Sequence, residues 1–160
     1  MIRDVTLNDA EAVCSIYNPY VLGTVVTFEE AAVTVEEMRA RMADVLRSWP
    51  WLVVESDGRI AGYAYATKWR ARAAYRTSVE TTVYLGAGSQ RRGVGTELFR
   101  TLIDKVRSLG AHRAMGGIAL PNDGSVALHE KLGFKKVAHF DEVGRKFDRW
   151  IDVGYWQLDL

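Results

Sequence analysis

A glycine-containing loop between a strand-like and a helix-like segment most constrains how this chain can fold. Apolar and β-branched residues run up to Leu85, glycines follow at positions 86, 88, 93 and 95, and apolar residues then recur at helical spacing over residues 96–109. A helix that begins directly after a loop presents unpaired backbone N–H groups and a partial positive charge. Gly93 and Gly95 permit close approach of the backbone to an anion because they carry no Cβ. The segment therefore predicts a strand–loop–helix unit whose loop binds an anion.

The spacing of these glycines does not match two common phosphate-binding motifs. A P-loop requires a lysine directly after its last glycine, and no lysine follows Gly95. A dinucleotide-binding loop requires a third glycine three residues after Gly95, where this chain has Leu98. Arg91 and Arg92 can add guanidinium charge to the loop. From the pattern alone, an ordinary glycine-containing turn remains the alternative.

Helix and strand signals alternate along the rest of the chain. The sequence predicts strands at residues 2–5, 51–55, 60–67, 79–85, 113–120, 135–143 and 149–158. Helices are predicted from Thr6 or Asn8 to about Tyr17, after a capping box at residues 34–37, and over residues 96–109 and 125–132. Asn18 and Pro19 are expected to end the first helix, because the residue before a proline disfavours the α region. This order indicates a single mixed α+β (α/β) domain over residues 1–160.

Composition and charge are those of an ordinary globular chain. Hydrophobic residues make up 48% of the 160 residues, and the net charge of +1 gives no reason to expect a nucleic-acid partner. Cys14 is the only cysteine, so an intrachain disulfide is excluded, and no His, Cys, Asp or Glu spacing suggests a metal site. Acidic residues interrupt the N-terminus, and no apolar run approaches the roughly 18 residues of a membrane span. We therefore expect a cytoplasmic protein without a membrane partner.

The glycine loop also carries a family resemblance. Gln90-Arg91-Arg92-Gly93-Val94-Gly95 resembles the Q/R-x-x-G-x-G/A motif of the GNAT superfamily of N-acetyltransferases. Further blocks resemble the phosphinothricin and methionine sulfoximine acetyltransferase branch: Trp69-Arg-Ala-Arg-Ala-Ala-Tyr75, Val79-Glu-Thr-Thr-Val-Tyr84, Leu120-Pro-Asn-Asp-Gly-Ser-Val126, Leu128-His-Glu-Lys-Leu-Gly-Phe134 and Trp150-Ile-Asp-Val-Gly-Tyr-Trp-Gln157, with shorter matches at residues 16–18 and 27–29. The blocks are spread over most of the chain. The chain departs from the branch at Ile151, where a histidine is common.

The resemblance implies a fold and a co-substrate. The fold is a central, mostly antiparallel twisted sheet of about seven strands flanked by about four helices. Acetyl-CoA is the implied co-substrate, with its pantetheine arm on the backbone of Val83, Tyr84 and Leu85. The loop amides of Arg91, Arg92, Gly93, Val94, Gly95 and Thr96 are implied to hold the pyrophosphate, and Asn122 to contact the cofactor. A homodimer is also implied.

Acetyl transfer to an amine needs a base for the ammonium and a proton for the departing thiolate. Glu80 lies near the start of an otherwise apolar strand. Apolar surroundings would raise the pKa of its carboxyl above the usual value of about 4.3. A solvent-facing glutamate is the alternative, and the resemblance favours Glu80 as the general base. The resemblance also implies His129 as the acid that protonates the thiolate, whereas the pattern alone equally fits a helix-surface histidine.

Two arginines in the loop before the Glu80 strand suggest how the acceptor is held. Arg70 and Arg72 would point the same way in an extended segment and could bind one carboxylate together, although solvated loop arginines are the alternative. The predicted acceptor pocket consists of Phe28, Arg70, Arg72, Ala73, Ala74 and Tyr75, and the resemblance favours this role for the two arginines. Tyr63, Tyr65, Lys146, Phe147 and Trp150 are further wall candidates, with ordinary core positions as the alternative for the aromatic residues. The typical acceptors of the branch are phosphinothricin, methionine sulfoximine and methionine sulfone.

Other functions stay open at this point. The chain could acetylate another small amine or an antibiotic, although a polyamine acceptor would call for carboxylates where Arg70 and Arg72 stand. It could also be a catalytically silent sensor that only binds acyl-CoA. A sensor needs neither Glu80 nor His129, so the presence of both favours an enzyme.

Overall fold

The structure, a computed structural model, describes residues 1–89 and 93–160; Gln90, Arg91 and Arg92 lie outside the described residues. Seven strands run over Ile2–Asp4 (β1), Trp51–Ser56 (β2), Arg59–Lys68 (β3), Ser78–Leu85 (β4), Arg113–Ala119 (β5), Lys135–Lys146 (β6) and Arg149–Asp159 (β7). The described residues also form four α-helices, Ala10–Gly23 (α1), Val35–Val45 (α2), Val94–Ser108 (α3) and Asp123–Lys131 (α4), and two 3-10 turns at Leu7–Asp9 and Ala73–Tyr75.

The seven strands form one sheet in the order β1-β2-β3-β4-β5-β7-β6. Strands β4 and β5 are parallel, and every other neighbouring pair is antiparallel. The parallel pair follows from the chain order, because α3 forms the crossover connection between β4 and β5. The predicted α+β class, with a mostly antiparallel seven-stranded sheet and four helices, is confirmed.

The helices cover both faces of the sheet. Alternation along β3 places Tyr63 on the face that packs against α1 and α2, and Ala64 on the face that packs against α3. Helix α3 buries Phe99 and Leu102 completely among the side chains of the second face. The sheet is therefore the middle layer of the fold, and the side chains of its central strands face one helix pair or the other, whereas β6 is largely exposed.

Two local signals confirm their predicted roles. The Thr34 hydroxyl accepts the Glu37 backbone N–H at 3.1 Å, and the Glu37 carboxylate in turn accepts the Thr34 N–H, as expected of a capping box. Asp57 and Gly58 both adopt positive φ values, 52° and 73°, which suits the two-residue turn between β2 and β3.

The prediction that Asn18 and Pro19 end the first helix is wrong. Helix α1 continues to Gly23 with Pro19 inside it, despite the roughly 3 kcal/mol that an interior proline costs. Tertiary packing offsets this cost, since Tyr17 and Val21 on either side of Pro19 are buried in the core. The Asn18 side chain also holds the backbone of Val33, by donating to its C=O at 3.0 Å and accepting its N–H at 2.9 Å. In the described part of the chain, each helix is too short or too polar to cross a membrane.

Candidate active site

The sheet opens between its two parallel strands. Strand β4 pairs with β5 only from Ser78 to Glu80, but β4 itself continues to Leu85 and stays paired with β3 over this length. The two parallel strands therefore separate beyond Glu80, which is the last residue of β4 that pairs with β5. We call this point the fork.

Beyond the fork, β4 presents backbone polar groups to the opening. The Gly86 N–H donates to the Ala61 carbonyl of β3 at 2.8 Å. Because bonded residues alternate along an antiparallel pair, the even-numbered residues of β4 are the ones whose backbone groups bond to β3. In an antiparallel ladder the backbone groups of alternate residues face the opposite side. The C=O group of Thr81, both backbone groups of Val83 and the N–H of Leu85 therefore face the opening, and they suit a ligand that carries amides.

A cleft of about 530 Å³ continues from the opening to the first turns of two helices. It is lined by Tyr20, Val26, Val83, Tyr84, Leu85, Gly93, Gly95, Thr96, Asn122, Gly124, Ser125, Ala127, Leu128 and Lys131. The cleft thus brings together the predicted cofactor residues Val83, Tyr84, Leu85, Gly93, Gly95, Thr96 and Asn122. The side chain of Val94 packs against the hydrophobic core, whereas its predicted role belongs to its backbone amide. The predicted Arg91 and Arg92 lie outside the described residues.

Both helices direct their N-termini at the cleft. Gly93 precedes α3 with a φ of 73°, a left-handed conformation that glycine adopts without strain. Gly95 allows α3 to lie close to β4, because a Cβ on it would come within 2.9 Å of Leu85 Cδ1. Asn122 caps α4, and its Oδ1 accepts the Ser125 N–H at 3.1 Å. The two N-termini give the cleft a positive potential that suits phosphate groups.

Tyr20 is a cleft residue that the sequence did not suggest. Its hydroxyl donates to the Leu85 carbonyl at 2.6 Å, at the end of β4. The residue was missed because Pro19 was expected to end α1, which would have placed Tyr20 in a loop. A helical spacing that continues from Tyr17 to Val21 was the signal that could have found it.

Glu80 lies at the fork, on the sheet face that carries α1 and α2. Its partner across β3 is Thr67, and Tyr65 on the same face packs against the α1–α2 core. Burial raises the pKa of the Glu80 carboxyl, and the positive charge of Arg70 partly opposes this rise. Burial and then the charge of Glu80 raise the pKa of Tyr155, which places the Tyr155 hydroxyl in the same neighbourhood. The carboxylate therefore holds a proton more readily than an exposed glutamate does.

His129 lies on the opposite face of the sheet and is 4% exposed, which excludes a helix-surface histidine. Its ring packs edge-on against Phe99 and Phe134, with both centroids 5.0 Å away. Nδ1 lies 2.7 Å from the Ser125 carbonyl, an acceptor, so Nδ1 carries the proton. Burial lowers the pKa of His129, which favours the neutral ring with a bare Nε2. His129 also borders a small cavity of about 60 Å³ that extends through the fork to Thr82 and Tyr84.

The predicted acceptor loop is exposed and bent. Arg70, Arg72, Ala73, Ala74 and Tyr75 all lie at the surface. The backbone bends at Ala71 and Arg72, so the extended geometry that would align the two arginines is absent from this segment. Arg70 stacks on the Trp69 ring with its guanidinium carbon 4.9 Å from the centroid. The positive charge of Arg70 also acts on Glu80, whose pKa it lowers. Arg72 precedes the 3-10 turn Ala73–Tyr75 as its N-cap.

The segment around Phe28 is fastened to the last hairpin. Phe28 packs on Gly144 of β6 so closely that a Cβ there would meet Phe28 Cε2 at 2.3 Å. Lys146 is 2% exposed and donates from Nζ to the carbonyls of Val21 and Thr27, at 2.7 and 2.8 Å. Lys146 thus serves as a clamp on the backbone, while Phe28 keeps part of its ring exposed.

One group of potential metal ligands occurs among the described residues. His139, Asp141 and Asp152 bring their donor atoms within 4.8 Å of one another at the exposed hairpin of β6 and β7. The His139 ring is already engaged on both nitrogens, by Asp152 at 2.8 Å and by Lys136 Nζ at 2.8 Å. A lysine ammonium beside the ring disfavours a cation there, and this group adds nothing to the cleft.

Comparison with known proteins agrees with the geometry. The family model "Acetyltransferase (GNAT) domain" matches residues 2–154. A phosphinothricin N-acetyltransferase of Streptomyces viridochromogenes is 40% identical over 99% of this chain and 87% of its own length. A methionine sulfoximine and methionine sulfone acetyltransferase of Salmonella typhimurium is 37% identical over 99% of this chain and 94% of its own length.

A solved structure agrees with the fold as well. The GNAT phosphinothricin acetyltransferase of Sinorhizobium meliloti, in complex with acetyl-CoA, superposes with a TM-score of 0.96 at 32% identity, covering 100% of this chain and 88% of that one. The chain therefore belongs to the GNAT family of acetyltransferases.

Proposed function

We propose that this acetyltransferase binds acetyl-CoA in the cleft at the fork and transfers the acetyl group to the α-amine of a small, amino-acid-like acceptor. Phosphinothricin, methionine sulfoximine and methionine sulfone are the acceptors that its relatives suggest. The observation that carries the proposal is the position of a buried carboxylate, Glu80, at the point where β4 and β5 separate. Residues 1–160 act as a single domain in this proposal.

The chemistry of the cleft fits coenzyme A. Coenzyme A combines two amides in its pantetheine arm with a pyrophosphate, and the cleft offers backbone groups of Thr81 and Val83 beside two helix N-termini. The thioester of acetyl-CoA supplies an activated acetyl carbon. The chain's own contribution is to hold that carbon at the fork, where the two strands leave a passage between the faces of the sheet.

Glu80 is the proposed general base. An amino-acid amine is mostly an ammonium near neutral pH and attacks only after losing a proton. The raised pKa of Glu80 brings its basicity closer to the working pH, where proton transfer is most effective. The amine, freed directly or through one water, then attacks the acetyl carbon, and the bond to the CoA sulfur breaks as the thiolate leaves.

The environment of His129 favours a positioning role over proton donation. The ring N–H is at Nδ1 and donates to Ser125, so Nε2 can donate only after the imidazole takes up a proton, which burial opposes. A thiolate can instead be protonated from the solvent side of the fork. His129→Gln separates the two roles: loss of a general acid would lower kcat by about 10²–10⁴-fold, whereas loss of a packing contact would leave the pH profile of kcat unchanged.

Arg70 and Arg72 are the proposed anchors of the acceptor carboxylate. Arg70 already lies close to the base, and both guanidinium groups are exposed on the loop that borders Glu80. A bidentate arginine–carboxylate pair would raise affinity without touching the reacting atoms. Replacing Arg72 with Ala should raise KM for the acceptor at least tenfold and leave KM for acetyl-CoA unchanged; an unchanged acceptor KM would contradict this assignment.

A homodimer is proposed for the assembly. The last hairpin exposes Val137, Phe140, Val143 and Trp150, each with about half or more of its surface open to solvent. Strand β6 is also the edge of the sheet, with backbone groups free to face a neighbour. Sedimentation of the protein should show a dimer that Val143→Lys weakens; a monomer at micromolar concentration would contradict it.

A thiol-release assay tests the proposed function. Purified protein with acetyl-CoA should release CoA when given phosphinothricin, methionine sulfoximine or methionine sulfone, and much less with aminoglycosides or polyamines. Binding of acetyl-CoA without turnover on any amine would instead indicate a sensor. Turnover only on an aminoglycoside would retain the enzyme class and overturn the acceptor.

A further inference from the structure

The phenol ring of Tyr155 reaches towards the fork from the side opposite β4. Tyr155 is the cross-strand neighbour of Gly117, and β5 lies between β7 and β4 in the sheet. A Cβ on Gly117 would lie 3.0 Å from Cε1, 3.1 Å from Cζ and 3.3 Å from the hydroxyl oxygen of Tyr155. The far end of the ring therefore lies over β5, on the way from β7 to the fork, and a residue without a Cβ leaves room for it.

Tyr155 and Glu80 lie on the same face of the sheet. Glu80 pairs with Met115, and Gly117 follows two residues later on the same face of β5. One strand spacing and two residues along a strand place the Cα atoms of Glu80 and Gly117 roughly 8 Å apart. Within the described part of the chain, no hydrogen bond joins the Glu80 carboxylate to the Tyr155 hydroxyl. A gap therefore remains between them, beside the fork.

Tyr155 is one end of a wall that also contains Trp69 and Arg70. The Trp69 ring packs edge-on against the Tyr155 ring, with the centroids 5.2 Å apart. The Arg70 guanidinium stacks on the other ring of this pair, that of Trp69. Burial, which is the largest effect, and the charge of Glu80 raise the pKa of Tyr155, whereas the charge of Arg70 lowers it. The hydroxyl thus lies within electrostatic reach of both the base and the arginine, and it stays protonated at neutral pH.

Both polar groups of this wall are free to bind a ligand. Among the residues that the structure describes, the Tyr155 hydroxyl has no hydrogen bond and the Arg70 guanidinium has no carboxylate within salt-bridge distance. Tyr155 is partly exposed and Arg70 is exposed. A hydroxyl and a guanidinium can both donate to a carboxylate. Such donors are needed at this place, because the charge of Glu80 repels another anion.

We propose that the Tyr155 hydroxyl and the Arg70 guanidinium together hold the α-carboxylate of the acceptor while its amine lies at Glu80. The proposal rests on the proposed function and adds Tyr155 to it as a specificity residue. The carboxylate of an α-amino acid is bonded to the carbon that bears the amine, so its anchor must lie directly beside the base. The wall therefore selects α-amino acids over amines that lack a neighbouring carboxylate.

Steady-state kinetics of Tyr155→Phe with two acceptors test the hydrogen bond. The acceptors are methionine sulfone and the amine that results when its carboxylate is replaced by hydrogen. Phenylalanine keeps the ring on Trp69 and Gly117 and removes only the hydroxyl. We expect kcat/KM for methionine sulfone to fall about tenfold or more. For the decarboxylated amine, kcat/KM (or the inhibition constant, if it is not turned over) should stay within about twofold of wild type, as should KM for acetyl-CoA. An equal loss for both acceptors, or no loss for methionine sulfone, would overturn the proposal.

Phe140→Leu is the matched control for Tyr155→Phe. Phe140 packs on the Tyr155 ring, with the centroids 6.0 Å apart, and contributes no polar side-chain group. This variant should keep the wild-type preference for methionine sulfone over the decarboxylated amine. A preference that Phe140→Leu lowers as much as Tyr155→Phe does would indicate ring packing and overturn the role of the hydroxyl.

Arg70→Met tests the position of the carboxylate without altering Tyr155. It should lower the preference for methionine sulfone over the decarboxylated amine about tenfold or more, and an unchanged preference would place the carboxylate elsewhere. Wild-type protein that binds acetyl-CoA but acetylates no amino acid would refute the proposed function itself. Turnover with an unaltered preference in Tyr155→Phe and Arg70→Met would refute only this inference.

Discussion

Gly116→Ala should destabilise the protein because His129 has no room to move. A Cβ at position 116 would lie 2.5 Å from His129 Nε2 and 2.6 Å from Cδ2, about an ångström inside normal contact. The ring is confined by Phe99 and Phe134, and its Nδ1 is held by a hydrogen bond of 2.7 Å. Overpacking of this kind costs about 1–3 kcal/mol, and a weakened hydrogen bond adds about 1 kcal/mol.

The expected loss can be measured by urea and thermal unfolding. We expect the free energy of unfolding to fall by about 3 kcal/mol, which lowers Tm by about 6–12 °C for a chain of this length. The sign is informative, because Gly→Ala in a strand ordinarily favours folding. Gly23→Ala is the matched control: nothing lies within 4 Å of its added Cβ, so it should be neutral or slightly stabilising.

A double variant separates the contact from other causes. Adding His129→Ala to Gly116→Ala removes the clash, so the two losses should be strongly non-additive. If the free energies of unfolding of Gly116→Ala and Gly23→Ala differ by less than about 0.5 kcal/mol, which is roughly the error of such cycles, the packing described around His129 is incorrect.

Three further predictions concern the cleft and the core. Asn122→Ala should lower the free energy of unfolding by about 1 kcal/mol, because the α4 cap is lost, and should also raise KM for acetyl-CoA. A normal KM for acetyl-CoA would show that Asn122 does not bind the cofactor. Burial lowers the pKa of His129 below 6.5, so at acidic pH the unfolded chain takes up a proton that the folded chain does not. The free energy of unfolding should therefore fall as the pH drops below 6.5. His129→Phe should make this pH dependence weaker when unfolding is measured in urea. Lys146→Met leaves two buried carbonyls unpaired and should cost about 2–4 kcal/mol in thermal unfolding, and a loss below 1 kcal/mol would contradict the clamp.

Sequence patterns predicted the elements well because each pattern acts locally. The capping box at Thr34, the turn at Asp57 and the start of α3 after Gly93 depend on neighbouring residues, and the strands follow from alternating or apolar runs. Helix α1 was the exception. Its extension past Pro19 depends on buried contacts of Tyr17 and Val21 with distant strands, which no local rule contains.

The site was predictable in its residues more than in its geometry. The family resemblance suggested Glu80 as the base and Asn122 as a cofactor contact, and both lie at the fork or on the cavity beside it. The fork itself depends on where β4 and β5 stop pairing, a tertiary property. The burial of His129 and the fixed position of its proton at Ser125 likewise depend on packing against Phe99.

The pH dependence of kcat for wild type and Glu80→Gln tests the central claim most directly. Thiol release with methionine sulfone and saturating acetyl-CoA should give an acidic limb whose pKa lies above that of an ordinary glutamate, because Glu80 must be ionised to accept the proton. Glu80→Gln should lose this limb and about 10²–10⁴-fold in kcat, with KM for acetyl-CoA unchanged. A Glu80→Gln enzyme with near-normal kcat across the pH range would contradict the account.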